Sequence, residues 1–362
     1  GGRRHPTARD NVVYRDPDDR GEPAVSARAR ATMIDVAARA GVSLKTVSRA
    51  INGEPGVSAE TVERVRAAAT ELRYARNDLA ASLRQGTRSN TIGLVTEDVA
   101  NPFYSAIAKA VEDSARDRGC LLVTASAGED PVLERELVSA MLRRRVDAIL
   151  IVPASTDHRY LEADGLLGRA VFLDRPPSRV RADAVLVANA SGARRAVEHL
   201  LAHGHRRVAF LGDDLGVSTA RERLAGYRAA LAPAAIAEDP ELVSVANHTS
   251  DAARRSLTAL LHLPVARRPT AVLTGNNRCT IGALQALGGP PSERRAIALV
   301  GFDDFELAEL LGVTVIRTDP SRIGRLGAEL AFARMDGDTR RPQRLVLEAE
   351  LVPRGSGELP PA

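Results

Sequence analysis

Apolar positions first recur at a helical spacing. Thr32 opens a short helix as its cap, with Asp35 three residues on in the capping-box position. Ile34, Val36, Ala37 and Ala40 supply that helix with an apolar face. Gly41 stops it, and Ser43 caps a second helix that carries Val47 and Ile51 inward, four residues apart. The other face of this second helix is Leu44, Lys45, Thr46, Ser48, Arg49 and Asn52, a mostly small, polar and basic surface. The run NGEPGVS reads as a loop from its Gly and Pro content. Ser58 then caps a third helix, about Ala59 to Arg73, with Val62, Val65, Ala69 and Leu72 at helical spacing. Two short helices joined by a tight turn, the second with a polar basic face, are the layout of a DNA-reading helix-turn-helix. The pattern alone also fits an ordinary helical hairpin.

From Thr91 the period changes. TIGLVT is a short buried strand, and Asn101-Pro102 starts a helix running to about Arg118. CLLVTAS is the next strand, Pro131 to Arg144 a helix, and VDAILIVP, AVFLDR and ADAVLVAN are strands. Asn189 to His203 opens a second round, in which RRVAFLG, ELVSVA, PTAVLTG, IALVGFDD and VTVIRTD are strands separated by helices. Ser321 to Met335 is a last long helix, and RLVLEAELVPR ends the chain in extended form. Strands alternating with helices predict doubly wound parallel sheets with helices on both faces. Two such rounds predict two α/β lobes. Ligands of such folds bind at the C-terminal ends of the strands. The expected organisation is a disordered arm over 1–30, an all-α helix-turn-helix headpiece over 31–76, a hinge and linker over 77–90, a two-lobed body over 91–356, and a tail over 357–362.

Charge sharpens this picture. Residues 1–90 hold 16 Lys and Arg against 11 Asp and Glu, a balance of +5; the remainder holds 34 against 35. The positive excess therefore lies with the helical module, as phosphate neutralisation requires. No run of about 18 apolar residues predicts a membrane span. The N-terminus lacks the apolar core of a secretory signal. Cys120 and Cys279 stand outside any metal-type spacing, so reduced cytoplasmic thiols are expected. Residues 1–30 are polar without a sustained period; they read as an arm adding weak phosphate contacts or as sequence upstream of the true start.

The wording of these elements resembles the lac repressor (LacI/GalR) family. The headpiece run from DVA at Asp35 through AGVS and TVSR to Asn52 carries the likeness. So do TVERVRAAATELRYARN in the third helix, NPFY at Asn101, RVDAILIVP at Arg145, VEHLLAHGHRRVAFLG at Val197, RLAGY at Arg223, TGNN at Thr274 and VGFDD at Val300. The resemblance covers nearly all of residues 31–356. It implies a periplasmic-binding-protein architecture for the body and a ligand-controlled repressor that binds a pseudo-palindromic operator as a homodimer. DNA contacts then fall on Thr32, Ser43, Leu44, Lys45, Thr46, Ser48, Arg49 and Asn52. Asp78 to Arg84, DLAASLR, matches the hinge that folds on the operator. Leu83 corresponds to its wedging leucine, and Ala80 and Ala81 to the small residues that let two hinges approach. Phe103, Tyr104, Asp174, Arg175, Arg223, Asn276, Asn277 and Asp303 match effector positions. Chemically this set suits a polyol: Arg and Asp pair with hydroxyls, Asn offers donor and acceptor, and an aromatic covers an apolar face.

Departures keep the effector open. Ala188 stands where the family often has Asp, and Asn247 and His248 stand where many members have an aromatic. With no Trp and 3% aromatics, the ligand could be a furanose, a nucleoside, a phosphorylated sugar or a non-sugar. His248 reads as a surface-loop residue. A transporter's sugar-binding protein would share the body but needs an export signal and no DNA module. An enzyme is disfavoured because GxGxxG, P-loop, GxSxG and HExxH runs are all missing. His199, His203 and His205 cluster without a ligand-spaced partner, so no metal and no cofactor is expected. LVPRGS at Leu351 to Ser356 looks like an engineered protease site, but the family tends to end in an Arg-Gly-Ser run and the segment is read as native.

Overall fold

The computed structural model describes residues 31–74, 88–288 and 297–361. The chain folds as two compact units, Gly1–Gln85 and Gly86–Ala362. The arm over 1–30 and the hinge residues Ala80, Ala81 and Leu83 lie outside the described residues.

In the first unit, helices α1 (Met33–Ala40), α2 (Leu44–Asn52) and α3 (Ala59–Glu71) surround one small core. Thr32 and Asp35 form a reciprocal capping box: Thr32 N–H donates to Asp35 Oδ2 at 2.7 Å, and the Thr32 hydroxyl accepts from Asp35 N. Gly41, at φ 67°, closes α1 in the left-handed conformation, which glycine adopts without a Cβ penalty. Ser43 and Ser58 cap α2 and α3 through the backbone N–H groups of Thr46 and Thr61. Val36, Ala40, Val47, Ala50, Val65 and Ala68 are buried together, with Ile51, Val62, Ala69 and Leu72 packed around them. Ile34 departs from expectation and is 68% exposed. It lies two residues from Val36, about 200° around the helix, so both cannot face one core.

The second unit contains two lobes of like design. The first sheet has the order β11-β5-β4-β3-β1-β2 and the second β12-β10-β9-β8-β6-β7. In the first lobe the strands are β1 (Thr91–Thr96), β2 (Leu121–Ser126), β3 (Ala148–Ile151), β4 (Ala170–Asp174), β5 (Asp183–Val187) and β11 (Arg344–Leu347). Its helices are α4 (Pro102–Asp117), α5 (Pro131–Arg143), the short α6 (Tyr160–Ala163) and α11 (Pro320–Met335). The second lobe holds α7 (Asn189–Ala202), β6 (Val208–Leu211), α8 (Ser218–Leu231), β7 (Val243–Ser244), α9 (Ser250–Leu261), β8 (Ala271–Thr274), α10 (Asn277–Leu287), β9 (Ala298–Phe302), β10 (Thr314–Arg317) and β12 (Glu350–Val352). All pairings are parallel except β10 with β12. The central strands are buried on both faces, which is why they read as unbroken apolar runs.

Helix pairs seal corresponding faces of the lobes: α4 against α11, and α7 against α8. Each pair closes over a glycine. A Cβ on Gly324 would lie 2.5 Å from Ile107 O, and one on Gly226 would lie 2.1 Å from Ala190 O. Helix α11 therefore belongs to the first lobe although it follows the strands of the second. The extended run at the chain end is likewise divided. Residues 344–347 extend the first sheet beside β5, and 350–352 extend the second beside β10. The chain crosses between lobes near Ala188, Thr318 and Ala349. The expected strand ELVSVA shrinks to Val243–Ser244, because Ala246 turns to φ 66° and Asn247 folds inward onto Gly212 O at 3.0 Å.

Candidate functional site

Strand C-termini of both lobes converge on one cleft. The first lobe contributes Glu97, Asn101, Phe103, Tyr104, Glu129, Asp174 and Arg175. The second contributes Asp213, Thr219, Arg223, Asn276, Asn277, Arg278 and Asp303. All eight effector positions expected from the sequence thus meet around one cavity. Glu97, Glu129, Asp213 and Arg278 were not singled out in advance. Each of the first three follows the end of β1, β2 or β6, so the strand-end rule that selected Asp174 could have found them.

Asp174 and Asp303 occupy equivalent places in the two lobes. Asp174 ends, and Asp303 directly follows, the fourth strand of its round, and each is held left-handed, at φ 63° and 67°. Asp is among the few residues that visit this region readily. Both are nearly sequestered, at 3% and 5% exposure. Burial raises the Asp303 carboxyl above its ordinary value; Arg223 opposes the rise and Asp174 adds to it. Asp174 is raised in the same way, with Arg175 and Arg223 opposing. Burial also pushes the Tyr104 phenol well up, so it stays a hydroxyl.

Two arginines organise the walls. Arg175 forks onto Glu129 at 2.8 and 2.7 Å and donates to Pro153 O at 3.1 Å and to the Tyr104 hydroxyl at 3.3 Å. Tyr104 in turn donates to Asp174 Oδ2 at 3.2 Å. Arg223 donates to Asn189 Oδ1 at 2.8 Å and to Gly275 O, approaches Asp303 Oδ2 at 3.4 Å, and lies 3.9 Å over the Phe302 ring. Thr318 donates to Asp303 Oδ1 at 3.3 Å. Two buried polar atoms here make no hydrogen bond: Asp174 Oδ1, an acceptor, and Arg175 Nε, a donor that lies 3.7 Å from Asp174 Oδ2. Such orphans are costly unless a ligand or water satisfies them.

The lobes are bridged at the lip. Asn277 Nδ2 donates to Asn101 Oδ1 at 2.7 Å, and Arg278 donates to Glu97 at 3.1 Å and to Asp98. Asn276 caps α10 through Cys279 N and donates to Asp213 at 3.2 Å. His248 is an exposed loop residue, as expected, whose Nδ1 lies 2.6 Å from Oδ1 of the cleft residue Asp213. In the clustered trio, His199 pairs with Glu358 and His205 holds Leu359 O at 2.7 Å, both near the chain end, while His203 turns back on His199 O. Among the described residues no group of His, Cys, Asp and Glu is placed to hold a metal ion.

In the headpiece, Leu44, Lys45, Ser48 and Arg49 share a surface depression with Met33 and Glu54. Lys45 is exposed, whereas Arg49 donates to Pro55 O at 2.7 Å and Asn52 donates to Glu54 at 3.0 Å. These two side chains brace the loop after α2. Thr32 and Ser43 are engaged as caps, and the Thr46 hydroxyl lies 2.8 Å from that of Ser43.

Comparison with known proteins agrees with both units. Residues 32–77 match the model for bacterial regulatory proteins of the lacI family, and residues 197–357 match a periplasmic binding protein-like domain. The ribose operon repressor of Escherichia coli K12 is 33% identical over 335 residues, spanning 90% of this chain and 99% of that protein. The regulator CelR of Thermobifida fusca is 33% identical over 347 residues, covering 91% and 99%. Among solved structures, the lac repressor dimer bound to operator and an anti-inducer superposes with a TM-score of 0.77 at 28% identity, covering 91% and 99%. A CelR–cellobiose complex gives 0.66 at 32%, covering 90% and 100%. No helix among the described residues is long and apolar enough to cross a membrane. The chain belongs to the lacI family of bacterial DNA-binding transcription regulators.

Proposed function

We propose that this regulator is a repressor that binds a pseudo-palindromic operator as a homodimer, and that a small polyhydroxylated effector, a sugar or related metabolite, occupies the interlobe cleft and alters operator affinity. The reading assigns it no catalysis and a cytoplasmic place of action. The observation that carries it is the pair of orphaned atoms, Asp174 Oδ1 and Arg175 Nε, in a cleft built from both lobes. An acceptor and a donor on adjacent residues suit hydroxyl groups, which both give and take hydrogen bonds. Relatives named for ribose and cellobiose support a sugar.

Bonds within the body suggest how an effector is sensed. Asp303 holds Thr318, where the chain crosses into α11. Just beyond that helix, Asp336 accepts from Arg88 at 2.9 Å, at the exit of the linker. An effector that moves Asp303 relative to the first lobe therefore acts on a helix bonded to the linker. Folding of the hinge, with Leu83 wedged into the minor groove, is the bistable step. In this scheme Leu44 and Lys45 read bases while the caps and loop hold α2 in register.

The test is a pair of gel-shift titrations of the full chain on an operator obtained by selection and on scrambled DNA, with and without D-ribose. Leu83→Ala should keep salt-dependent binding to scrambled DNA, which rests on phosphates, and lose most operator preference. Parent-like operator binding and bending by this variant would refute the hinge route.

A further inference from the structure

We infer that the cleft accepts an uncharged polyol and excludes its phosphorylated form. This rests on the effector reading above and narrows it.

The first ground is charge. Five carboxylates line the cleft, those of Glu97, Glu129, Asp174, Asp213 and Asp303, against the three guanidiniums of Arg175, Arg223 and Arg278. The formal balance is −2. The second ground is that the guanidiniums are already engaged. Arg175 is forked onto Glu129, Arg278 reaches Glu97 and Asp98, and Arg223 is shared among Asn189, Gly275 O and Asp303. A phosphoryl group offers three strong acceptor oxygens and a charge of about −1.5 to −2. Of the cleft guanidinium nitrogens, Arg175 Nε makes no hydrogen bond but lies 3.7 Å from Asp174 Oδ2, and Arg223 bonds through Nε and Nη1, leaving Nη2; a phosphoryl group reaching either would also meet the adjacent Asp174 or Asp303 carboxylate.

Helix N-termini work the other way, and their size decides the matter. Helices α4 and α10 present their N-termini to the cleft, but Asn101 and Asn276 already cap them with side-chain oxygens. Helix α8 starts beside Val217 and Thr219 with no side-chain cap. Each of the three ends is equivalent to roughly half a positive charge, capped by a neutral amide or not, so together they reduce the formal −2 without reversing it. The cleft stays negative, and the uncapped start of α8 supplies N–H donors for a neutral ligand's oxygens. Burial has already raised Glu97, Asp174 and Asp303 above ordinary carboxylate values, so the walls resist further negative charge. A polyol instead meets both orphans, giving a hydroxyl proton to Asp174 Oδ1 and accepting from Arg175 Nε.

Titration calorimetry of the full chain with D-ribose and D-ribose 5-phosphate, and with D-glucose and D-glucose 6-phosphate, tests this. A neutral sugar should bind, and its phosphate ester should bind on the order of 100-fold more weakly. The gap should narrow at high salt, which screens the repulsion. It should also narrow in Asp213→Asn, which removes one rim carboxylate. A phosphate ester that binds as tightly as its parent sugar overturns the inference and leaves the effector cleft standing. A gap indifferent both to salt and to Asp213→Asn overturns the electrostatic cause. No binding of any of the four, with operator affinity unchanged by each, overturns the sugar reading and this inference together.

Discussion

Replacing Asp303 by Asn separates what the cleft does for stability from what it does for the effector. The carboxylate is 5% exposed and its value is raised, with burial the first cause. The folded chain therefore holds this proton more tightly than the unfolded chain does. Ionising the group costs stability as pH climbs from the unfolded value, about 3.9, through the folded one. Asn removes that cost and tolerates the left-handed backbone at φ 67°. It can still accept from Thr318, and Arg223 keeps Asn189, Gly275 O and the Phe302 ring. Asp303→Asn should thus unfold within about 1 kcal/mol of the parent at neutral pH, well short of the roughly 3–5 kcal/mol expected when a buried charge is stranded. Its stability should also fall less than the parent's as pH rises through the folded value. Asp303→Ala should cost roughly 2–3 kcal/mol, from left-handed strain and an unpartnered Thr318. Effector binding should move the other way, since losing one charge-assisted hydrogen bond is worth about 1.5–3 kcal/mol. D-ribose affinity of Asp303→Asn should drop on the order of 10- to 150-fold. Urea denaturation and calorimetric titration on the same preparations read both quantities. If Asp303→Asn costs more than about 3 kcal/mol and leaves ribose affinity untouched, Asp303 is a structural strand-end residue and the reasoning fails.

Three further outcomes are expected. Lys45→Ala and Leu44→Ala should each relax base preference at one position per half-site by about 1–3 kcal/mol, read by selection from random DNA; an unchanged consensus would remove both from the reading face. Arg88→Ala breaks an exposed pair with Asp336, so thermal stability should change by less than about 1 kcal/mol, while the effector-induced change in operator affinity shrinks; an intact response would show that this contact transmits nothing. Thrombin should leave the folded chain uncut at Arg354-Gly355 despite the LVPRGS run, and cut it after denaturation. In the fold β12 is paired with β10, Arg354 is forked onto Asp304 at 2.7 Å, and Ser356 is buried; rapid cleavage of the native chain would contradict this packing.

The features the sequence determined alone are those written within a few neighbouring residues. Thr32 with Asp35, Gly41 and Ser43 marked the ends of α1 and α2, because a cap satisfies backbone groups three residues away. The apolar runs at Thr91, Ala148, Ala170 and Ala298 marked buried parallel strands, because a strand covered on both faces has no polar period. The strand-end rule then gathered Asp174, Arg175, Asn276 and Asp303, because in a parallel sheet every strand points its C-terminus to the same edge. Tertiary structure decided what depends on where distant segments meet. Nothing near residue 320 says that α11 returns to the first lobe, or that the last extended run splits between two sheets near Ala349. Arg223 and Asp303 are 80 residues apart, and their pairing follows from α8 and β9 sharing one lobe. Arg278 and Glu97 lie farther apart still and meet only because the lobes face each other. Ile34 and Arg49 show the same limit at short range. Helical phase turned one apolar side chain to solvent, and Arg49, expected on the DNA-facing side of α2, donates here to a loop carbonyl. Periodicity encodes which face is apolar; which partner fills a hydrogen bond is set by the packed backbone.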